Sequence, residues 1–192
     1  MNKKIIIVQG YLAVGKSTFT RQLSRAINIP YLIKDTFKIA LCESIPITNR
    51  EDGSRFSVVT FDAMMYVVER LMETNCPIII EGNFAAAGMK EKDEAGVIKA
   101  LVDKYDYQSL TYKFIGDTQV LYDRYIKRNR LPERGDANRD FAEPSQDVFD
   151  GYCNDLSKFN IGGEVEIIDT TDFAKVNFAD CIKTASAFVG LL

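Results

Sequence analysis

The sequence predicts an α/β fold: a three-layer α/β/α sandwich around a five-stranded parallel sheet. Two observations carry the prediction. Short apolar runs alternate with segments of helical periodicity, and the first run passes through a glycine-rich turn straight into an amphipathic helix. The strand candidates are 5–8, 31–33, 77–80, 110–115 and 165–168. In the first crossover Phe19, Leu23 and Ile27 recur at four-residue steps. Val58, Phe61, Met65, Val68 and Met72 step by 3, 4, 3 and 4 in the next, so each segment has one apolar helical face. Further helices are predicted over 95–104, 118–130, 147–159 and 174–189. The polar stretches 43–54, 84–94 and 131–146 read as loops, and in such folds the loops at the carboxyl ends of the strands carry the site. No repeat or second domain interrupts the pattern, so 1–192 reads as one domain.

Composition narrows the chemistry. A chain of 192 residues can bury roughly 70% of its unfolded surface and needs no staples to fold. With 24 Lys+Arg against 27 Asp+Glu, the net charge of −3 offers no long-range attraction to a polyanion or an anionic membrane. There is no His, which excludes Ser-His-Asp hydrolysis, Cys-His pairs and His-built zinc sites. Cys42, Cys76, Cys153 and Cys181 are scattered, without a CxxC, and read as buried thiols of a reducing compartment. The apolar run after Met1 stops at Gln9-Gly10, short of a signal peptide's core, and nothing reaches the length of a membrane span. A cytoplasmic protein is expected.

Residues Gly10 to Ser17 fit GxxxxGK[ST] between a strand and a helix. Backbone N–H groups of such a turn, with the positive end of the helix, surround phosphates, and a side chain at Gly10 or Gly15 is expected to obstruct that approach. Ala13, Val14 and Thr18 complete the nucleotide-binding loop. Lys16 is placed on the β- and γ-phosphates, and Ser17 on Mg²⁺. A GTPase would need an NKxD segment, and none is present.

Two acids follow strands. Asp35, just past the second, is the candidate general base; the alternative, compatible with it, is a cap of a helix starting near Thr36. Lys38, one turn on, either holds an anion or is solvated. Glu81, at the end of the third strand, stands where an acid holds Mg²⁺; a Glu rather than an Asp there leaves a substrate role open to Glu81 and Asn83. From Arg124 to Arg139 six basic residues (Arg124, Lys127, Arg128, Arg130, Arg134, Arg139) meet two acids, a local +4 in a chain otherwise −7. Arg124 and Arg128 lie four apart, a like-charge spacing that an intervening anion relieves, and the arginine fork suits phosphate. The alternative is a solvated basic face. The segment after Arg130 reads as a flap, so the lid spans about 118–146.

These motifs resemble the P-loop small-molecule kinases of the AAA-type ATP-binding kinase family, relatives of gluconate and shikimate kinases, chloramphenicol phosphotransferase, zeta-toxin and polynucleotide kinase. The resemblance implies a P-loop NTPase fold with sheet order 2-3-1-4-5 and an arginine-rich lid. It implies that Asp35 and Lys38 match the Asp-x-x-Arg of the polynucleotide kinase, that Arg124 lies over adenine, that Arg128 faces the phosphates, and that Thr171 belongs to a loop flanking adenine. By the same analogy the acceptor pocket draws on Arg50, Arg55, Asn83 and Phe84, with Arg134 of the lid on the substrate side. The expected activity is transfer of phosphate from ATP, with Mg²⁺, to a hydroxyl of a small molecule. Lys16, Asp35 and Arg128 are its catalytic residues, in a monomer or homodimer with neither membrane nor nucleic acid as partner. A nucleic-acid 5′-hydroxyl kinase and an ATP-driven switch with a protein partner are the competing readings.

Overall fold

β1 (Lys4–Gly10) is the central strand of a five-stranded parallel sheet of order β2-β3-β1-β4-β5, the order the resemblance implied. This is the computed structural model of the chain, and it describes residues 3–45, 50–86, 93–129 and 143–191. Successive side chains of a strand point to opposite faces, and β1 is buried on both. Ile6 and Val8 enter one apolar cluster, Ile5 and Ile7 another. The first cluster joins Phe19, Leu23 and Ile27 of α1 (Lys16–Ile27) to Cys181 and Ala185 of α7 (Phe178–Phe188). The second is filled by Phe61, Met64, Met65, Val68 and Met72 of α3 (Arg50–Glu73) and by Ala95, Ile98 and Val102 of α4 (Glu94–Tyr105). A run apolar at every position, as in the first strand, is what two covered faces demand.

β2 (Tyr31–Ile33) runs without a loop into α2 (Lys34–Ser44), and β3 (Ile78–Glu81) lies between β2 and β1. β4 (Gln108–Ile115) flanks β1 on its other side and leads into α5 (Thr118–Asn129). Then follow α6 (Gln146–Ser157), the edge strand β5 (Glu164–Asp169), a short 3-10 turn at Phe173–Lys175, and α7. Side-chain caps set several starts: Asp93 accepts from the Gly96 N–H at 2.9 Å, Ser145 from Val148 at 3.4 Å and Asn177 from Asp180 at 3.4 Å.

Three expectations about elements change. The stretch 43–54 is not a loop throughout, because α2 runs to Ser44 and α3 begins at Arg50 and carries Gly53 and Ser54 within it. Helix propensity argues against those two residues, but packing of α3 along α2 and acids in its first turn outweigh about 1 kcal/mol of glycine penalty. Asp35 caps nothing: α2 starts at Lys34 after Ile33, so Asp35 is already inside the first turn, where its charge suits the helix dipole. The last helix starts at Phe178, not 174, because Asn177 caps it there. Among the described residues no helix is long and apolar enough to cross a membrane.

Candidate active site

Register assembles the site. Val8 of β1 pairs with Glu81 of β3, which pairs with Ile33 of β2, so three strands end at one level. The residues that follow, the glycine-rich turn after β1 and Lys34-Asp35 after β2, are thereby brought beside Glu81. Glu81 shares its strand face with Ile79, which packs in the α1 cluster. It therefore points at the start of α1, and the Ser17 hydroxyl donates to Glu81 Oε2 at 2.8 Å.

A cavity of about 90 Å³ lies over the turn, lined by Leu12, Ala13, Val14, Gly15, Lys16, Ser17, Thr18, Asp35, Glu81, Asn83 and Arg128. Ten of these eleven come from the residues singled out in the sequence, drawn from four separate segments. The two motif glycines do different work. Gly10 (φ 139°) lies against β4, where a Cβ would stand 2.0 Å from Phe114 O, the carbonyl that accepts the Tyr11 N–H at 2.9 Å. Its missing side chain admits the neighbouring strand, which corrects the expectation that it clears room for phosphate. Gly15 (φ 83°) sits at the head of α1 with no side-chain cap, so the first N–H groups of that helix stay directed at the cavity. Ala13 also takes a left-handed conformation (φ 60°), at a cost of about 1–2 kcal/mol, and nothing in the motif announces it.

Lys16 is buried, and its ammonium donates to Gly10 O at 3.0 Å and Tyr11 O at 2.5 Å. Burial brings its pKa down to about 8, against the opposing pull of Glu81 and then Asp35. Burial likewise pushes the Glu81 carboxyl above its usual range, opposed by Lys16. The two hold each other's charge in a site that alone would favour their neutral forms. Ser17 and Glu81 are oxygen donors in contact, and no group of three His, Cys, Asp or Glu among the described residues forms a dedicated metal cage. One carboxylate and one hydroxyl is the donor set of a hard cation that shares its remaining coordination with phosphate and water, as Mg²⁺ does.

A second cavity, of about 100 Å³, adjoins the first and is lined by Lys34, Asp35, Lys38, Ser57, Thr60 and Asn83. Asp35 and Asn83 line both. Lys34 is buried in an ion pair with Glu94, whose other oxygen accepts the Ala85 N–H at 2.8 Å, and its ammonium lies 5.4 Å from the Phe61 ring centroid. Sequence reasoning missed this pair: two partners sixty positions apart, one directly after a strand and one opening a helix, give no local signal. Phe84 is corrected. It is fully buried between Phe61 and Phe159, at centroid distances of 6.2 and 5.9 Å, so it is core rather than a substrate contact. Arg55 projects from α3 with its side chain 72% exposed and pairs with Glu51 at 2.6 Å, outside both cavities. Arg134 and the flap 131–142, with Arg130 and Arg139, lie outside the described residues, as does the side chain of Arg50.

The two described arginines of this segment part company, although their four-residue spacing had suggested one shared anion between them. Arg128 reaches the cavity over the glycine-rich turn. Arg124 turns to the loop after β5, donating to Thr170 O at 2.6 Å and Thr171 O at 2.7 Å, with its guanidinium 4.4 Å from the Phe173 ring centroid. Thr171 is itself pinned: its hydroxyl and N–H donate to Asp169 Oδ1 at 2.6 and 2.8 Å, and its hydroxyl accepts from the Asp117 N–H at 2.7 Å. The hydroxyl donation, then the N–H, holds the Asp169 carboxyl below its usual pKa. Phe173, 41% exposed and next to Gly15, was missed in sequence; an exposed aromatic one residue beyond a polar loop was the available signal. All four cysteines are free. Cys153 and Cys181 are buried, with burial pushing each thiol up to about 11, whereas Cys42 and Cys76 are only half-buried.

No protein-family model and no curated protein matches the chain in sequence. Solved structures do match in fold. A protein from Chloroflexus aurantiacus j-10-fl, whose kinase designation is provisional, superposes with a TM-score of 0.85 at 19% identity, covering 98% of this chain and 99% of that one. A gluconokinase from Sinorhizobium meliloti 1021 gives 0.56 at 15% identity over 97% and 91%. The tunicamycin resistance protein of Deinococcus radiodurans gives 0.57 at 16% over 98% and 96%. The chain shares its fold with these proteins.

Proposed function

We propose that the protein is an ATP- and Mg²⁺-dependent phosphotransferase that phosphorylates a hydroxyl group of a small molecule in the cytoplasm. One observation carries the reading: Asp35 and Asn83 line both a cavity over the glycine-rich turn and a second cavity whose lining, among the described residues, is polar. A carboxylate shared by two such cavities can touch an acceptor hydroxyl in one and a phosphoryl group in the other. The kinase designations of the proteins sharing this fold support the same conclusion.

In this reading the Gly15 to Thr18 amides bind phosphate, and the Lys16 ammonium leaves the Gly10 and Tyr11 carbonyls to neutralise β- and γ-oxygens. Ser17 and Glu81 would hold the metal, which would supply charge neutralisation when bound. Asp35 orients the acceptor hydroxyl and takes its proton. Asn83 positions the same hydroxyl, and Arg128 offsets the charge on the transferring group. Arg124 and Thr171 form one side of the nucleoside site. Nothing in this scheme requires imidazole, which accounts for a kinase without histidine.

The test is transfer from γ-³²P-labelled ATP, with Mg²⁺, to small molecules in a protein-free cell extract. A labelled product other than phosphate is expected, and Asp35→Asn should lower its formation at least 100-fold while ATP binding stays within twofold of wild type. Release of inorganic phosphate alone, or an Asp35→Asn variant with full transfer, would overturn the reading.

A further inference from the structure

Resting on the phosphotransferase reading, we infer that Glu94, which lines neither cavity, is a positioning residue whose carboxylate sets the placement of Asp35 against Asn83. Those two residues come from different elements. The ladder between β2 and β3 stops at the pair Ile33 and Glu81, and Asp35 and Asn83 each lie two residues beyond it. One side chain ties the two segments past that level. A Glu94 oxygen takes the ammonium of Lys34, the neighbour of Asp35, and the other accepts the Ala85 N–H at 2.8 Å, two residues from Asn83. Ala85 is held from both sides, because its carbonyl accepts the Ala95 N–H at 2.9 Å. The clamp has a fixed base: Glu94 opens α4, whose Ala95, Ile98 and Val102 are core.

Packing closes the same circuit. A Cβ on Gly82 would stand 2.8 Å from the Phe84 ring and 3.2 Å from Lys34 Cβ, so the lysine stem and the ring meet over the backbone between Glu81 and Asn83. The Phe61 ring centroid lies 5.4 Å from Lys34 Nζ and 6.2 Å from the Phe84 centroid. Apolar packing of this kind holds segments together without direction. The carboxylate adds direction, because both of its bonds are charge-assisted and made in a buried place, and each prefers a narrow range of distance and angle. Desolvation offsets much of what such a pair contributes to net stability, so its use is geometry.

The geometry bears on the reaction because Asp35 must meet the acceptor hydroxyl while that oxygen faces the γ-phosphoryl group. The oxygen that yields its proton to Asp35 takes the phosphoryl group as the bond to ADP breaks. A displacement of about 1 Å from this alignment costs on the order of 100-fold in rate. ATP is gripped at the first cavity, which Glu94 does not line, so its binding is left nearly unchanged.

The test is a mutant cycle with Asp35. Transfer from γ-³²P-labelled ATP to the small molecules of the protein-free extract is measured for the full chain at saturating ATP, per molecule that binds a non-hydrolysable ATP analogue. Glu94→Gln should lower the rate at least about tenfold, with KM for ATP within about twofold of wild type, and should add less than about twofold to the loss caused by Asp35→Asn. Lys34→Met with Glu94→Gln removes the buried charge as well as the clamp; it should fold like wild type yet stay about tenfold slow, and it carries the cycle if Glu94→Gln alone does not fold. A wild-type rate in either variant, a KM for ATP that rises as the rate falls, or a loss that multiplies in full with that of Asp35→Asn overturns the inference. Those results leave the phosphotransferase standing, whereas absence of any labelled product from the wild-type chain removes that reading and this inference with it.

Discussion

Substituting the two motif glycines separates the reasons each is glycine. In Gly10→Ala the added Cβ falls 2.0 Å from Phe114 O and 2.7 Å from the carbonyl carbon, against an ordinary contact of 3.4 Å or more. Both atoms belong to a central strand of the sheet, so no flexible side chain can yield. β1 must retreat by over an ångström, which breaks the Tyr11 to Phe114 hydrogen bond, worth about 1 kcal/mol. Overpacking adds about 1–3 kcal/mol, and the unfavourable φ of 139° another 1–3. A loss of at least about 3 kcal/mol is expected, which for a domain this size lowers Tm by roughly 6–12 °C. In Gly15→Ala the nearest atoms, 3.1 Å away, are the edge of the half-exposed Phe173 ring, which can swing aside. Only the φ penalty of about 1–2 kcal/mol remains, and Tm should fall by no more than about 8 °C. Calorimetric Tm values, with and without a non-hydrolysable ATP analogue, read both effects. Gly15→Ala should lose most of the stabilisation by nucleotide. A Gly10→Ala protein melting within 3 °C of wild type and failing only to bind nucleotide would refute the packing argument.

The buried pair predicts a cycle: Glu94→Gln keeps an acceptor for the Ala85 N–H but removes the charge facing Lys34, and should destabilise by about 3–5 kcal/mol in urea unfolding. Adding Lys34→Met should recover most of that loss, and a strictly additive double variant would show that the pair is uncoupled. Lys16 predicts a pH dependence. Its folded pKa of about 8 lies below the ordinary 10.5, so between those values the unfolded state binds the extra proton and folding stability rises with pH. From pH 7.5 to 9.5 the wild type should gain about 2 kcal/mol relative to Lys16→Met, and a constant difference would contradict the depressed value. Arg124→Lys cannot bridge the Thr170 and Thr171 carbonyls together, and should raise KM for ATP with little change in kcat; a kcat loss with unchanged KM would place Arg124 on the reacting phosphates instead.

What could be read from sequence divides by the range of the physics involved. The strands and the α1 stripe were legible because burial on two faces leaves a short continuous apolar run and burial on one helical face repeats at a period of 3.6, patterns that any window of the chain displays. The glycine-rich turn was legible because phosphate binding imposes residue types at fixed local spacing. Glu81 and Asp35 were legible only as acids following strands; their approach is a matter of register, Val8 to Glu81 to Ile33, which no single segment contains. The boundary of α3 failed because Gly53 and Ser54 punctuate locally while α2, packed alongside, decides globally. Phe84 failed for a related reason: a residue just after a strand reads as loop, yet β3 ends inside the molecule and, past the half-buried Asn83, Phe84 and Ala85 are buried again. The Lys34–Glu94 pair is the limiting case. A lysine directly after a strand is by default solvated, and only the closure of α4 over the sheet makes it buried and paired. A buried pair of this kind is weak evidence for stability, because hydrophobic replacements of similar volume often do as well.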